Sequence, residues 1–293
     1  MNTLGLIQTF SKVVQCASFT AAAKELDISA AAVSKQISLL EAELGVMLLH
    51  RTTRQVSLTE TGETYYREVQ LVLLALDKAS GVIAAAKDEP SGLLRVKSAR
   101  YFAEHIIIPR LAEYRATYPQ VVVDLQIAEQ IPHLLEEDLD VVFGMSAQVA
   151  SNSIQKKITT TRYVFCASPK YLMAQGTPNQ PADLAGHHYI THTMREPNDR
   201  WIFPSGETVY LKPVLYLNDA QAMLECAVNG LGVVALHHYQ VAQALAKKEL
   251  VEILASYRLP LIPVFLYYHP GRYMQPKVKT WVEFMSNNLP KEL

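Results

Sequence analysis

The sequence predicts an α + α/β protein, in which a helical N-terminal segment precedes a larger α/β region. Residues 1 to about 88 are dominated by helix-forming Ala, Leu, Glu, Lys and Gln, and the first proline is Pro90. After a break at residues 87–92, β-branched runs alternate with helical stretches, which is typical of parallel strands covered by helices. The length of 293 residues is sufficient for about two domains.

Composition excludes several classes of protein. With 49% apolar and 19% charged residues the chain is globular, and its formal net charge of −1 means that any nucleic-acid binding must depend on where the charges are placed. Cys16, Cys166 and Cys226 form no CxxC motif, which excludes a disulfide scaffold and fits a reducing cytosol. No long apolar run or secretory signal is evident, so we expect a cytoplasmic protein with no membrane partner.

Two short helices joined by a tight turn are predicted between residues 20 and 44. Thr20 is expected to cap the first helix and Ser29 the second. Four apolar residues at helical spacing should form the buried stripe of the second helix: Val33, Ile37, Leu40 and Leu44. Four small or polar residues lie away from that stripe, where they can approach base edges and phosphates: Ala30, Ala31, Ser34 and Lys35.

A two-stranded wing is predicted after this helix. Gly45 can end the helix, and residues 48–58 then carry Arg51 and Arg54 beside β-prone Val56, which suits arginines that face a DNA groove. A purely structural helix pair is the alternative. Residues 1–90 contain eight basic and ten acidic side chains, and this balance does not attract DNA.

A long helix is predicted from about residue 60 to Lys87, with Thr59 or Ser57 as its cap. Its apolar residues follow heptad spacing: Tyr65, Val69, Val72, Leu76, Ala79 and Ile83. Such a stripe favours dimerisation, which would place two recognition helices on one face of the DNA. A long helix packed on its own domain is the alternative.

The α/β region offers candidate ligand residues at strand ends. Strands are predicted at 93–97, 121–127, 141–143, 163–167, near 209–217, at 232–236 and at 262–267, and helices at 103–117, 131–137, from Pro169, at 220–229 and at 277–287. Ligands of open α/β sheets bind beyond the carboxyl ends of strands. This rule selects Ser98, Arg100, Glu129 and Met145, with His192 and Asp219 as candidates from the second half.

No enzyme is predicted, because the chain contains no GxSxG, P-loop, GxGxxG or HExxH motif and no evident cluster of titratable residues. A catalytic or ligand-binding α/β protein with an accessory helical domain is the alternative. The histidines lack metal-ligand spacing, so no metal or other cofactor is expected. A redox pair of Cys166 and Cys226 stays open, since sequence alone cannot bring the two thiols together.

The motifs of the N-terminal segment resemble the signature of LysR-type transcriptional regulators. They are Phe10-x-x-Val13, Ser18-Phe19-Thr20-x-Ala22-Ala23, Leu26, Ser29, Ala32-Val33-Ser34-x-x-Ile37, Leu40-Glu41, Leu44-Gly45, Leu48-Leu49, Arg51, Arg54 and Leu58-Thr59-x-x-Gly62. The remainder is similar to the effector domain of that family at Ala167-Ser168-Pro169-x-Tyr171-Leu172, Pro181-x-Asp183-Leu184 and Asn229-Gly230-Leu231-Gly232-Val233.

The resemblance implies a winged helix-turn-helix DNA-binding domain over residues 1–59, a linker and dimerisation helix over 60–88, and an effector-binding domain over 89–293. That domain would resemble periplasmic binding proteins, with one α/β lobe at about 93–161 and 267–293 and a second at about 162–266.

The resemblance also implies three partners: double-stranded DNA, further copies of the chain in a dimer or tetramer, and a small-molecule effector held between the lobes. Ala30, Ala31, Ser34 and Lys35 would face the DNA bases from the recognition helix, Arg54 would lie on the wing, and Thr20 and Arg51 would face phosphates. Many relatives have a basic residue after the third strand of the α/β region, where this chain has Phe143-Gly144-Met145. Arg100 is therefore expected to supply the positive charge for the ligand.

The substitution Arg54→Ala tests the wing. Loss of one groove contact should weaken DNA binding by on the order of 1–3 kcal/mol per half-site. The measurement is the equilibrium affinity for one operator at fixed salt, and equal affinity of the two proteins would refute the role given to Arg54.

Overall fold

A computed structural model of the protein describes residues 3–51, 56–86, 89–128, 139–145, 153–273 and 275–293. Three helices and a small hairpin form the N-terminal part: α1 (Thr3–Cys16), α2 (Phe19–Glu25), α3 (Ala30–Leu44), β1 (Leu49–Arg51) and β2 (Val56–Leu58). The two strands pair antiparallel. The long helix α4 (Glu60–Ala86) follows. The predicted helix-turn-helix, wing and long helix are therefore present.

Local hydrogen bonds define where these helices begin. The Ala32 N–H donates to Ser29 Oγ at 3.1 Å, so the predicted cap of α3 is confirmed. Thr20 is not the cap of α2, because the helix begins at Phe19 and Ser18 Oγ accepts from the Ala21 N–H. The chain thus enters α2 two residues earlier than expected, and Thr20 lies in its first turn.

The cap of α4 is Thr59. Its Oγ1 accepts from the Gly62 N–H at 2.9 Å, whereas Ser57 lies within β2 and pairs with His50. Of the two alternatives that the sequence leaves open, the geometry selects the threonine.

The buried stripe of α3 is one residue shorter than predicted. Val33, Ile37 and Leu40 are buried, but Leu44 is 41% exposed because it ends the helix, where Gly45 turns the chain in a left-handed conformation. Glu41 takes the remaining buried place. Its carboxylate accepts from the N–H groups of Leu48 and Leu49 at 2.9 and 3.2 Å. These two hydrogen bonds fix the position at which the wing begins.

The α/β region continues in the order β3 (Gly92–Ser98), α5 (Arg100–Phe102), α6 (Ile108–Thr117), β4 (Val121–Ile127), β5 (Val141–Gly144), β6 (Ile154–Thr161), β7 (Tyr163–Ala167), α7 (Pro169–Gln175), β8 (His188–His192), β9 (Arg200–Ile202), β10 (Thr208–Tyr210), β11 (Lys212–Leu217), α8 (Ala220–Val228), β12 (Val233–His237), α9 (His238–Ala246), β13 (Val251–Ile253), β14 (Ile262–Tyr268), α10 (Pro270–Tyr273) and α11 (Pro276–Asn287). A π-helical segment joins α5 to α6. The helix predicted at 131–137 lies outside the described residues.

Two five-stranded sheets form two lobes. In the first lobe the strand order is β4-β3-β5-β14-β6, and β3 is parallel to both β4 and β5. Its sheet packs against α6 and α11 around Tyr114 and Trp281. In the second lobe the order is β11-β8-β12-β7-β13, and β8 is parallel to both of its neighbours. The first of these lobes contains the strands whose carboxyl ends were expected to bind a ligand.

The strand predicted near 209–217 is two strands. Val209 pairs with Trp201 in the β9–β10 hairpin, while Lys212 pairs with His188 at the edge of the second sheet. Five of these elements were not predicted from the sequence: β6, β8, β9, α9 and β13.

The chain crosses between the lobes twice. The first crossing follows Thr161, as expected. The return comes before Ile262 rather than near residue 266, because β14 pairs with β6 along its whole length, from Ile262 opposite Thr161 to Tyr268 opposite Ile154. Residues 262–266 therefore belong to the first lobe.

A buried ion cluster joins four elements of the first lobe. Asp140, fully buried, accepts from Arg272 of α10 at 2.6 Å, from Lys277 of α11 at 2.9 Å and from the Arg95 N–H of β3 at 2.9 Å. Burial alone would raise the pKa of Asp140, but the two cations hold this pKa below its usual value. The carboxylate is therefore ionised whenever the lobe is folded near neutral pH.

Asp140→Asn should lower the free energy of unfolding by about 3–5 kcal/mol, because it leaves two cations without their buried partner. Urea unfolding at pH 7 measures the loss, and Glu113→Gln, on the exposed side of α6, is the control. Because the folded pKa is depressed, the carboxylate contributes fully above about pH 4 and its contribution is lost as pH falls further. The difference between the two proteins should therefore shrink in acid. A difference that does not vary with pH would contradict this role.

Candidate functional site

The first candidate site is the outer face of α3. Ala30, Ala31 and Lys35 are exposed and Ser34 is half-buried. At 3.6 residues per turn, Ala31, Ser34 and Lys35 lie within about 100° of one another around the helix axis. Three of the four predicted recognition residues therefore share one face, away from the buried stripe, whereas Ala30, the first residue of the helix, lies about 140° around the axis from Lys35. Thr20 is exposed in the first turn of α2, which packs against α3.

The N-terminal core holds this face in place. Phe10 of α1 packs with Val33 and Ile37 of α3, and Thr9 Oγ1 donates to Gln36 Oε1 at 2.5 Å. The wing begins at the carboxylate of Glu41. Arg51 ends β1, but its side chain and the whole of Arg54 lie outside the described residues.

The second candidate site is a cavity of about 360 Å³ between the lobes. The first lobe supplies residues from the carboxyl ends of β3 and β5 and from α5, among them Ser98, Phe102, Phe143 and Met145. The second lobe supplies residues from β7, β8, β12 and the segment after β8, among them Tyr163, Tyr189, His192, Arg195 and His237. The cavity therefore lies beyond the carboxyl ends of strands, where ligands of open α/β sheets bind.

Three of the six predicted effector residues line this cavity: Ser98, Met145 and His192. Arg100 and Asp219 do not. They form an ion pair across the lobes at 3.4 Å, Arg100 also pairs with Glu104, and Asp219 caps α8 through the Ala222 N–H. Arg100 is therefore not the cation of the cavity, because acidic side chains outside the lining already bind it. Glu129 lies outside the described residues.

Arg195 was not predicted from the sequence, and it lines the cavity together with another basic residue, Lys97. Its guanidinium carbon lies 3.5 Å from the centroid of the Trp201 ring, and its N–H groups donate to the carbonyls of Pro197 and Arg200. Burial is the main cause that lowers the pKa of Arg195, yet a guanidinium stays protonated at neutral pH. The only signal in the sequence was a lone arginine after an apolar strand, and that strand, β8, had not been predicted.

His237 is the second residue that was missed. Its ring stacks on Tyr163 with centroids 4.1 Å apart, and only 9% of the residue is exposed. Burial lowers the pKa of His237 to about 3, so the ring is neutral at physiological pH. Within the part of the chain that the structure describes, its Nδ1 has no hydrogen-bond partner.

His192 presents a defined tautomer to the cavity. Its Nδ1 accepts from the Met194 N–H at 3.2 Å. Because Nδ1 accepts, the ring proton lies on Nε2, which can act as a donor.

Tyrosines of each lobe reach into the other. Tyr101 of α5 packs in the core of the second lobe and donates to the Gln240 carbonyl at 2.7 Å. Tyr239 of α9 packs against Phe102 of the first lobe, edge to face with centroids 5.8 Å apart. These contacts flank the cavity and set the angle between the lobes in this structure.

The remaining candidate chemistries find little support among the described residues. No group of three His, Cys, Asp or Glu side chains there is arranged to hold a metal ion, and no helix there is long and apolar enough to cross a membrane. All three cysteines are free of disulfides, and burial raises the pKa of Cys166 to about 12. A thiol with that pKa is a poor nucleophile and a poor redox sensor.

Two protein-family models match the chain. The helix-turn-helix model of the lysR family of bacterial regulatory proteins matches residues 4–63, and the LysR substrate binding domain matches residues 87–290. The chain is 32% identical to an uncharacterized HTH-type transcriptional regulator of Haemophilus influenzae, over 95% of this chain and 98% of that protein. It is 31% identical to the HTH-type transcriptional regulator PtxR of Pseudomonas aeruginosa, over 100% of this chain and 95% of that protein. The solved structure of CrgA, a LysR-type transcriptional regulator from Neisseria meningitidis, matches with a TM-score of 0.64 at 28% identity, over 97% of each chain.

Proposed function

The chain belongs to the LysR family of transcriptional regulators, and we propose from this premise how its own residues bind DNA, assemble and respond to a small molecule. As a member, it has a helix-turn-helix DNA-binding domain and a substrate-binding effector domain. The proposed boundaries are 1–59 for the first, 60–88 for the connecting helix and 89–293 for the second. The family and these relatives are regulators rather than enzymes, so we assign no catalytic role and place the protein in the cytoplasm, where it can reach the chromosome.

Sequence-specific DNA binding is assigned to α3 and the wing. The observation that carries this assignment is the outer face of α3, where small side chains leave room for base edges and Lys35 can reach a phosphate. We assign Ala30, Ala31 and Ser34 to base contacts, and Thr20, Arg51 and Arg54 to phosphates and the adjacent groove.

Lys35→Ala tests the recognition face. An operator is first selected in vitro from random DNA with the full chain, and affinity is then measured by nuclease footprinting at several salt concentrations. If Lys35 contacts a phosphate, the variant should bind more weakly on all sequences, and the salt dependence should fall by about one unit of slope per half-site.

Lys24→Ala, in α2, is the matched control and should leave both quantities nearly unchanged. Equal slopes for Lys35→Ala and the unchanged protein would remove Lys35 from the interface. Failure to select any operator would contradict the proposed DNA binding as a whole.

Assembly into a homo-oligomer is assigned to α4. Val72 is 50% exposed and Leu76 is 39% exposed, and both belong to the heptad stripe, whose earlier member Val69 is buried in the N-terminal core. An exposed heptad stripe on a long helix is the usual seam of a coiled-coil pair. A dimer joined there would present two copies of α3 to neighbouring turns of the DNA.

Val72→Glu should shift the protein toward smaller species in sedimentation, because a charge at the seam has to lose its water. Arg67→Glu places the same side chain about 140° around the helix and should leave the assembly unchanged. Circular dichroism confirms that each variant is folded. Identical assembly of both variants would exclude α4 as the seam.

Ligand response is assigned to the angle between the lobes. α10 carries Arg272 of the buried ion cluster and packs directly against α4, so a movement of the first lobe has a short path to the DNA-binding domains. We infer that ligand binding between the lobes changes their angle and that α4 passes the change on as altered DNA spacing or bending. A ligand that fills the cavity yet changes neither footprint length nor DNA bend would contradict this mechanism.

A further inference from the structure

We propose that the cavity between the lobes binds a small aromatic carboxylate, with its carboxylate on Arg195 and its ring between the aromatic walls. This inference rests on the proposed function of the cavity as the effector site, and it adds the chemical class of the effector. Four features of the cavity carry it: the sign of its charge, the geometry of its cation, the nature of its walls and two polar side chains in its lining.

The charge of the lining favours an anion. Among the described residues that line the cavity, Arg195 and Lys97 are basic and none is acidic. Among the described residues, no acidic side chain forms an ion pair with Arg195 within 4 Å, and its acidic neighbour Asp199 pairs with Arg200 at 3.7 Å. A partly buried guanidinium without a counter-ion is costly, so an anion entering the cavity gains the interaction that the protein leaves open.

The geometry of Arg195 favours a carboxylate. Two of its N–H groups are bound to the carbonyls of Pro197 and Arg200, and one face of the guanidinium lies on Trp201. The side chain is therefore held in one orientation before a ligand arrives. A planar guanidinium fork matches the two oxygens of a carboxylate, and little conformational entropy remains to be lost on binding.

The walls favour a flat ring. Phe102 and Phe143 lie with centroids 5.2 Å apart, and Tyr163 and His237 form a stacked pair on the opposite lobe. Met145 adds a polarizable side chain. Aromatic rings and methionine sulfur attract another ring through face and edge contacts, and a volume of about 360 Å³ suits a small ligand. A polyhydroxylated ligand would lose hydrogen bonds to water that these apolar walls cannot replace.

Two polar side chains of the lining favour a hydroxyl substituent on that ring. Ser98 lines the cavity from the first lobe and His192 from the second. Because Nδ1 of His192 accepts from the Met194 N–H, its Nε2 is the nitrogen that can donate. A phenolic hydroxyl can pair with either side chain, so a hydroxybenzoate should bind more tightly than benzoate itself.

The test is direct binding to the full chain. The probes are benzoate, 2-hydroxybenzoate, 4-hydroxybenzoate and phenylacetate, with benzamide, cyclohexanecarboxylate and succinate for comparison. Isothermal calorimetry measures affinity. The Trp281→Phe variant leaves Trp201 as the single tryptophan, and its fluorescence should change when the anion reaches Arg195. We expect saturable binding of at least one aryl carboxylate, about tenfold weaker binding of benzamide, and weaker binding of the non-planar acid and of succinate.

Arg195→Gln locates the carboxylate. It should weaken aryl carboxylate binding by about tenfold or more, and Arg195→Lys, which keeps the charge without the fork, should lie in between. Arg258→Gln is the matched control: it removes an exposed arginine of the second lobe that pairs with Glu252 at 4.0 Å and lies outside the lining, and it should change affinity less than about twofold. Equal affinities of the Arg195 and Arg258 variants would overturn the assignment of the carboxylate site.

The DNA footprint separates the two levels of inference. If an aryl carboxylate binds and alters the footprint on the selected operator, both are supported. If none of the four aryl acids binds below about 1 mM while succinate or another non-aromatic solute alters the footprint, the ligand class is wrong and the regulator function stands. If no operator is retained under any condition, the proposed function fails, and saturable aryl acid binding would then support only the chemistry of the cavity.

Discussion

The structure depends on neutralising one buried carboxylate. Asp140 is fully buried where β5 begins, and it is satisfied only when Arg272, Lys277 and the Arg95 N–H converge on it. These partners come from a central strand and two C-terminal helices, so the end of the chain must return to the first lobe for the beginning of that lobe to be stable. Removing one partner of a buried ion pair leaves an uncompensated charge, so packings that separate Asp140 from these cations are disfavoured.

This constraint connects the two halves of the molecule. α10, which carries Arg272, also packs on α4, and the same return of the chain places β14 in the first sheet between β5 and β6. The lobes are joined by adjacent crossings and by tyrosines exchanged between their cores. A cavity formed between such lobes has walls whose separation depends on a few contacts, Tyr101 with Gln240 and Arg100 with Asp219 among them. The cavity is therefore the part of the molecule that a ligand can most easily alter.

In the N-terminal domain, too, a buried carboxylate fixes how neighbouring elements are arranged. Glu41 is buried because it satisfies two backbone N–H groups at the start of the wing. Gly62 is required because a Cβ at that position would lie 2.0 Å from the Leu48 carbonyl oxygen. Thr59 Oγ1 both accepts from Gly62 and donates to the Met47 carbonyl at 2.9 Å. The spacing Thr59-x-x-Gly62 thus joins the wing to the long helix, which explains why such a motif identifies a fold.

Local chemistry made most of the fold predictable from the sequence alone. Caps such as Ser29, the left-handed Gly45 and the i, i+4, i+7 spacing of Val33, Ile37 and Leu40 act within a few residues, so they are legible in the chain. The dense motif at residues 10–62 identified the family for the same reason. The errors at Thr20 and Leu44 lie within one turn of a helix end, where local preferences compete closely.

Only the tertiary structure decided which side chains line the cavity. Ser98 was found because strand ends are local features, whereas Arg195 and His237 reach the same space from a lobe about a hundred residues further along the chain. Arg100 carries the positive charge expected of an anion-binding residue and lies two residues from Ser98. Its side chain nevertheless pairs with Asp219 and Glu104 outside the cavity lining. The sequence determined the elements and the family, because periodicity and capping are local. The charge and shape of the ligand site were decided by contacts between distant residues, which no local pattern records.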